Sequence, residues 1–450
     1  MKSDFSKKTV HIPRETKEWN EIQEWALLSS ICDGIFDCPH STPKITSIGP
    51  LVVRSQDIRT GIFKKHLAAH VSDETYLLRI ARATPQYGDL FYSREGTYFG
   101  IAAEVPQNTK VCLGQRMVLI RPQKNHNHIF IKYWLNSPIM VNYVASFRDG
   151  TVAERLNMPT IRALPIPVFS RHKQDSIASI LGSLDDKIDL NRRTNETLEA
   201  MARAMFRNWF VDFGPTRAKM AGEAPYLAPE LWELFPDRLD DEGKPEEWET
   251  STFDHCITIL TGGTPKTSVP SYWNGNIPWF SVVDAPTESD VYVLDTTKKI
   301  TQDGLNNSAA SILPENTVII SARGTVGKLA LTSGDMTMNQ SCYGIRGSNG
   351  YGQYFILQAL KNILNELKNN THGSVFDTIT RETFSTISTT LPSLRLAQHY
   401  ENMVSKYFKR ILVNCEESRT LSGLRDLLLP KLMSGEISIR DAEKMVEDVT

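Results

Sequence analysis

The sequence predicts an α+β protein: two duplicated mixed α/β domains separated by two long antiparallel coiled-coil helices, related by a pseudo-two-fold axis. Three observations carry this expectation. The first is a heptad seam running Ile177, Leu181, Leu184, Ile188, Asn191, Asn195, Leu198, Ala202, Met205, Trp209. Alternating steps of four and three keep one edge of a helix against a partner helix, and a mid-seam asparagine trades stability for register. The second is the return of that seam at one constant offset: Tyr400, Val404, Tyr407, Ile411, Asn414, Ser418, Leu421, Arg425, Leu428, Leu432, with Asn414 standing where Asn191 stood. The third is that the repeat continues outside the helices.

In chain order, residues 14–31 have the look of a helix entering an apolar segment, with Trp19 within it. Residues 32–44 (CDGIFDCPHSTPK) are too broken by Gly and Pro for a strand interior. Residues 45–58 read as short strands around a turn, followed by the basic FKKHLAAH and a helical SDETYLLRIAR. Residues 90–105 hold two apolar runs flanking Arg94-Glu95-Gly96-Thr97, a hairpin signal. GQRMVLIRP (114–122) is a further strand, residues 128–146 have helical periodicity, and GTVAERLNMPTIRALPIPVFS leads in extended form to the long helix. After Gly214-Pro215 comes an acidic, Pro-rich stretch with a short helix at PELWELF. The second half then replays the first. Trp248 answers Trp19, Thr264-Pro265-Lys266 answers Thr42-Pro43-Lys44, Gly324-Thr325 answers Gly96-Thr97, and NQSCYGIRG answers GQRMVLIRP. The expected division is 1–170, first domain; 171–213, central helix; 214–247, linker; 248–394, second domain; and 395–450, C-terminal helix and tail.

A chain of 450 residues that is 40% hydrophobic can build two or three domains with real cores. Its net charge of −2 gives no global attraction for nucleic acid, so any DNA contact needs a local basic face. The six cysteines form no C-x-x-C pair and no zinc-ligand spacing, which favours free thiols in a reducing, cytoplasmic setting. The N-terminus lacks the apolar run of a signal peptide, and no stretch approaches the ~18 apolar residues of a membrane span. About 40 helical residues would make a rod of about 60 Å, on the order of 18 base pairs of duplex. Half-sites one helical turn apart, roughly 34 Å, fall within that reach.

Catalytic motifs are represented only by decoys. Pro236-Asp237 with Glu242-Gly243-Lys244 imitates a nuclease PD…ExK arrangement, but it sits in an acidic linker and flanks no apolar strand. Gly324-Thr325-Val326-Gly327-Lys328 lacks P-loop spacing and reads as a hairpin turn. The N/D-P-P-Y/F tetrapeptide expected of an amino-methyltransferase is missing. The polar loops carry more. Lys266, Thr267, Ser268, Tyr272, Trp273 and Asn274, then Arg323, Lys328, Asn339 and Gln340, can bond phosphate, read base edges or stack. Their first-half counterparts are Ser41, Thr42, Lys44, Arg94, Gln115 and Arg116. An ordinary turn with an aromatic packed on the core is the alternative for the Tyr272-Trp273 segment.

Four features together carry a family resemblance: DCPHSTPK at 37–44 with its counterpart TGGTPKTSVPSYWNG; MARAMFRNWFVDFGPTRAKM at 201–220; LRDLLLPKLMSGEISI at 424–439; and the two-fold repeat. Over essentially its whole length the chain resembles the specificity subunit of type I restriction-modification systems. The resemblance implies a non-catalytic subunit with two target-recognition domains, each reading one half of an asymmetric bipartite site in double-stranded DNA. It implies helices that act as spacer and as dock for modification (methyltransferase) subunits. It places S-adenosylmethionine, ATP and Mg in partner modification and restriction (translocase/nuclease) subunits, with no cofactor in this chain. The rival readings are a catalytic methyltransferase or methyltransferase-nuclease, and a coiled-coil scaffold without DNA function.

Overall fold

The computed structural model describes residues 24–59, 61–96, 99–147, 155–286, 290–370 and 378–449. Two units emerge, and both long helices pass from one into the other: residues 1–187 with 420–450, and residues 188–419.

In the first unit a four-stranded antiparallel sheet runs in the order Cys32–Asp37, Met117–Pro122, Leu90–Ser93, Ala102–Glu104. Phe91, Ala103 and Leu119 cluster with Val53, Ile58 and Val111. The alternation of strand side chains thus joins this sheet to a second one, ordered Ala69–Val71, Ile45–Val53, Val111–Leu113. Within that small sheet Ile45–Val53 pairs antiparallel to one neighbour and parallel to the other. The helix expected after it occupies Asp73–Ile80, capped by Ser72. The helical stretch at 128–146 divides into His128–Leu135 and Pro138–Ala145, because Ser137 caps a new helix whose first residue is proline.

Three local expectations are corrected. Cys32–Asp37 is a strand: it lies at the sheet edge, where only one neighbour must be satisfied, and Gly34 leaves the space that the Phe36 ring fills. Of the helix expected over 14–31, residues up to 23, Trp19 included, lie outside the described residues. Trp25–Leu27 is instead a strand paired with Pro165–Pro167, its Trp25 ring 5.6 Å from Trp134. Of the extended stretch before the long helix, Met158–Arg162 is helical, started by Asn157, whose side chain accepts from Thr160 N at 2.8 Å.

The second unit repeats this plan. Its larger sheet is ordered Ile257–Thr261, Cys342–Gly347, Val318–Ser321, Leu329–Thr332, with Tyr292–Val293 added at the far edge. Its smaller sheet is ordered Lys298–Ile300, Trp273–Phe280, Thr337–Met338, again with one antiparallel and one parallel pairing. Ile319 faces the small sheet's cluster, whereas Val318 and Ile320 face the helices. One helix, Gln353–Asn370, stands where the first unit has two. The stretch expected as a linker is folded into this unit: Gly214–Met220 and Pro229–Trp232 are helical, and Leu231 and Phe235 join its core.

The long helices are Arg171–Phe210 and Leu394–Ser434. In the second unit they run antiparallel: Tyr400 Oη donates to Ala202 O at 2.9 Å, and Asn414 Nδ2 to Asn195 Oδ1 at 2.8 Å. Asn191 Nδ2 donates to Glu417 Oε2 at 2.7 Å. Asn191, Asn195 and Asn414 are all buried, a polar layer inside an apolar seam of the kind that can fix register. Val404 and Ile411 are fully buried; Ile188, Leu198, Met205 and Tyr407 are half-buried at its margins. The FRNWF segment supplies an aromatic cluster, with Phe210 5.2 Å from Phe355 and 5.3 Å from Tyr400. Such pairs each add about 0.5–1.5 kcal/mol beyond burial. In the first unit Ile177, Leu181, Leu184, Leu421, Leu428 and Leu432 are buried seam residues.

Each unit ties its globular part to the long helices at a helix start. Glu401 accepts from the Tyr354 and Phe355 amides at 3.2 and 2.9 Å, and burial raises its carboxyl pKa. Gly352 leaves no room there for a side chain. In the first unit Gln174 accepts from Asn127 N at 2.8 Å, while Asn127 caps Ile129 and Phe130.

Candidate nucleic-acid interface

The antiparallel order of the larger sheet brings three loops to one end in each unit. In the first these are 38–44, residues 94–96 with 99–100, and 114–116. They follow Asp37, follow Ser93 and precede Met117, and Cys38 N bonds Met117 O at 3.2 Å. In the second they are 262–268, the 322–328 turn and 339–341. Residues far apart in sequence therefore share one surface.

The same side-chain bond closes both loop sets. Thr42 Oγ1 donates to Gln115 Oε1 at 3.1 Å, and Thr264 Oγ1 donates to Gln340 Oε1. The turns match as well. Gly100 N bonds Ser93 O at 2.6 Å and Gly327 N bonds Ser321 O at 2.9 Å. Gly96 and Gly324 both have positive φ, 95° and 75°, a conformation that costs glycine nothing. Arg94 N bonds Arg116 O as Ala322 N bonds Ser341 O, at 3.1 and 2.8 Å.

The candidates do not all reach solvent. Ser41, Thr42, Lys44 and Arg116 are exposed and Gln115 is half-buried. Arg116 pairs with Glu95 at 3.3 Å. Arg94 is only 3% exposed, and its guanidinium meets Asp37 at 3.1 Å and His40 at 3.5 Å. It holds the loop from beneath rather than facing solvent. In the second unit Lys266, Thr267, Ser268, Asn274, Arg323, Lys328 and Gln340 are exposed, and Asn339 and Tyr272 are half-buried. Asn339 Oδ1 is occupied by Ser341 N at 3.0 Å. Trp273 turns inward: its ring lies 5.1 Å from that of Trp279, and its indole donates to Lys266 O at 3.3 Å. Asn274 occupies a bulge at φ 61°, a backbone that asparagine tolerates.

Sequence reading missed the braces. Arg79 is buried on helix Asp73–Ile80 and donates to Ser41 O at 2.5 Å; burial lowers its pKa. Trp279 donates from its indole to Gly263 O at 2.9 Å. Gly263 packs directly on the Ala309–Ala310 backbone, so a side chain there would displace the loop. The alternation of Trp279 in its strand was available as a signal. Nothing local marks Arg79 as a brace.

The decoys resolve into structural bonds. Asp237 pairs with Lys219 at 2.9 Å, and Lys244 with Asp240 and Glu242 at 2.6 and 2.7 Å. Among the described residues no group of three or more His, Cys, Asp or Glu side chains could hold a metal ion. In the 322–328 turn Lys328 N is taken by Ser321 Oγ at 2.8 Å. Among the described residues no helix is long and apolar enough to cross a membrane.

One loop framework is thus built twice in the chain, with different exposed donors on its two copies. The type I restriction modification DNA specificity domain matches residues 76–200 and again 245–410, and the chain belongs to that family. It is similar to the type I restriction enzyme HindI specificity subunit of Haemophilus influenzae, 26% identical over 435 residues, spanning 84% of this chain and 94% of that protein. It is also similar to the MjaIX specificity subunit of Methanocaldococcus jannaschii, 24% identical over 325 residues and 69% of each chain. The crystal structure of the type I S subunit from M. genitalium shares the fold, with a TM-score of 0.51 at 14% identity over 91% of this chain and 96% of that one.

Proposed function

We propose that this chain directs a type I restriction-modification complex to an asymmetric bipartite DNA site, each globular part reading one half. The observation that carries the reading is the loop framework built twice, with the same Thr–Gln bond and different side chains displayed. Exposed Lys44 and Arg116 in one copy, and Lys266, Arg323 and Lys328 in the other, suit phosphate oxygens. Hydroxyls and amides among them suit base edges in the major groove. The long helices serve as spacer between half-sites and as dock for modification subunits. Methyl transfer with S-adenosylmethionine, and ATP- and Mg-dependent translocation and cleavage, belong to those modification and restriction partners in the cytoplasm.

The test is base-resolution adenine-methylation mapping in a methylation-free host expressing the chain with its modification subunit. One bipartite motif that vanishes when this chain is omitted is the expected result. Exchanging loop 262–274 should alter one half of the motif and leave the other. A motif indifferent to this chain would overturn the assignment, as would methyl transfer by the chain alone.

A further inference from the structure

The two equivalent glutamines are not in equivalent states. Gln115 is half-buried and held at both ends of its amide: Oε1 accepts from Thr42, and one Nε2 hydrogen goes to His40 O at 2.8 Å. Gln340 is exposed; its Oε1 accepts from Thr264, and among the described residues its Nε2 has no partner. The latch pins the amide plane in both copies, but only in the second does it leave two N–H donors and one oxygen lone pair facing solvent.

The surroundings fit a role at a base edge. Gln340 lies at the tip of loop 339–341. That loop is joined to the 322–328 turn through the 2.8 Å bond from Ala322 N to Ser341 O. The turn carries exposed Arg323 and Lys328, cations able to hold phosphates to either side. Asn339 beside it is half-buried and accepts from Ser341 N, whereas Gln340 is the loop's exposed carboxamide. A side chain already held by Thr264 loses little rotamer freedom on binding.

We infer that Gln340 is a specificity-determining residue of the second recognition domain. It reads a base edge that presents an acceptor, adenine being the base that uses both its N–H donor and its remaining oxygen lone pair. Gln115, its counterpart, is a positioning residue that contributes no base contact. The inference rests on the DNA-reading assignment above.

The test is methylation mapping with the chain in its complete modification complex. Gln340→Glu keeps an acceptor for the Thr264 hydroxyl and replaces the donor nitrogen by oxygen. It should shift preference at one position of the second half-site, away from adenine and towards cytosine, whose exocyclic amine donates. Loss of adenine discrimination there should be tenfold or more. Gln340→Ala should lose that discrimination without a new preference. Thr264→Val should blur the same position, and Thr264→Ser should restore it. In every case the first half-site should be unchanged and the complex should elute as wild type. An unaltered motif with Gln340→Glu would overturn the inference. So would a uniform fall in methylation with no change in base preference, which marks a structural or phosphate role. A wild-type complex with no motif dependent on this chain would instead sink the DNA-reading assignment itself.

Discussion

Removing the Asp185 carboxylate should loosen the first unit by an amount that can be worked from its contacts. Asp185 Oδ2 accepts from Tyr133 Oη at 2.6 Å, and Oδ1 accepts from Arg425 Nη1 at 2.7 Å. One carboxylate thereby links a globular-domain helix to both long helices. Its side chain is 30% exposed and that of Arg425 22%, so this is not an open surface pair worth only tenths of a kcal/mol. Burial first, and then the Asp185 carboxylate, hold the Tyr133 hydroxyl far above its ordinary pKa, so it stays a proton donor. A hydrogen bond to a charged group contributes about 1.5–3 kcal/mol. Arg425 keeps Asp426 at 2.9 Å, which offsets part of the loss. Asp185→Ala should therefore cost about 2 kcal/mol, roughly 30-fold in the unfolding equilibrium. In a unit of this size that is a fall of about 4–8 °C in Tm. Urea and thermal unfolding, followed at the first unit's transition, measure it. Tyr133→Phe should cost about 1 kcal/mol, and the double variant clearly less than the sum, since the two changes remove one shared bond. An Asp185→Ala midpoint equal to wild type, or strict additivity with Tyr133→Phe, would refute the reasoning.

Other outcomes are expected from the same contacts. Leu184→Asp places a charge at a fully buried seam position and, combined with Ile188→Asp, should abolish assembly with the modification subunit on a sizing column. Replacing Asn191, Asn195 and Asn414 together by Leu should raise thermal stability while broadening the spacer lengths found by methylation mapping, because the polar layer is lost. Inserting one helical turn next to Asn191, matched in the partner helix, should change the spacing and leave both half-sites intact. Glu199, although burial opposes it, is held below its ordinary pKa of 4.5 by Lys361 and Arg203. A depressed carboxyl stabilises above its unfolded pKa, and that stabilisation is lost as pH falls below about 4.5 through the folded value. Acid titration of the second unit's unfolding midpoint should show this component, and Glu199→Gln should remove it.

The seam and the duplication were legible because both are periodic. A heptad survives in one dimension, and burial at Leu181, Leu184, Leu421 and Leu428 follows its phase. The hairpin turns were legible because glycine marks positive φ, as at Gly96 and Gly324. Cys32–Asp37 was misread because the prolines that count against a strand, Pro39 and Pro43, lie in the loop beyond it, and its one glycine sits at a sheet edge, which is a property of the sheet. The acidic stretch after Gly214 was read from composition, yet Leu231 and Phe235 anchor it in a core formed by distant residues.

Sequence alone singled out the candidate side chains of the sheet-end loops, since polar residues beside matched glycines recur at equivalent places in the two halves. Tertiary structure decided which of those side chains are free. Arg94 and Arg116 carry the same charge, but one is buried on Asp37 and the other is exposed. Gln115 and Gln340 are the same residue at the same place, but His40 O takes the amide of one only. The physical reason is that a side chain's availability depends on partners brought close by sheet pairing, here between residues 73 and 76 positions apart. No local pattern records that pairing.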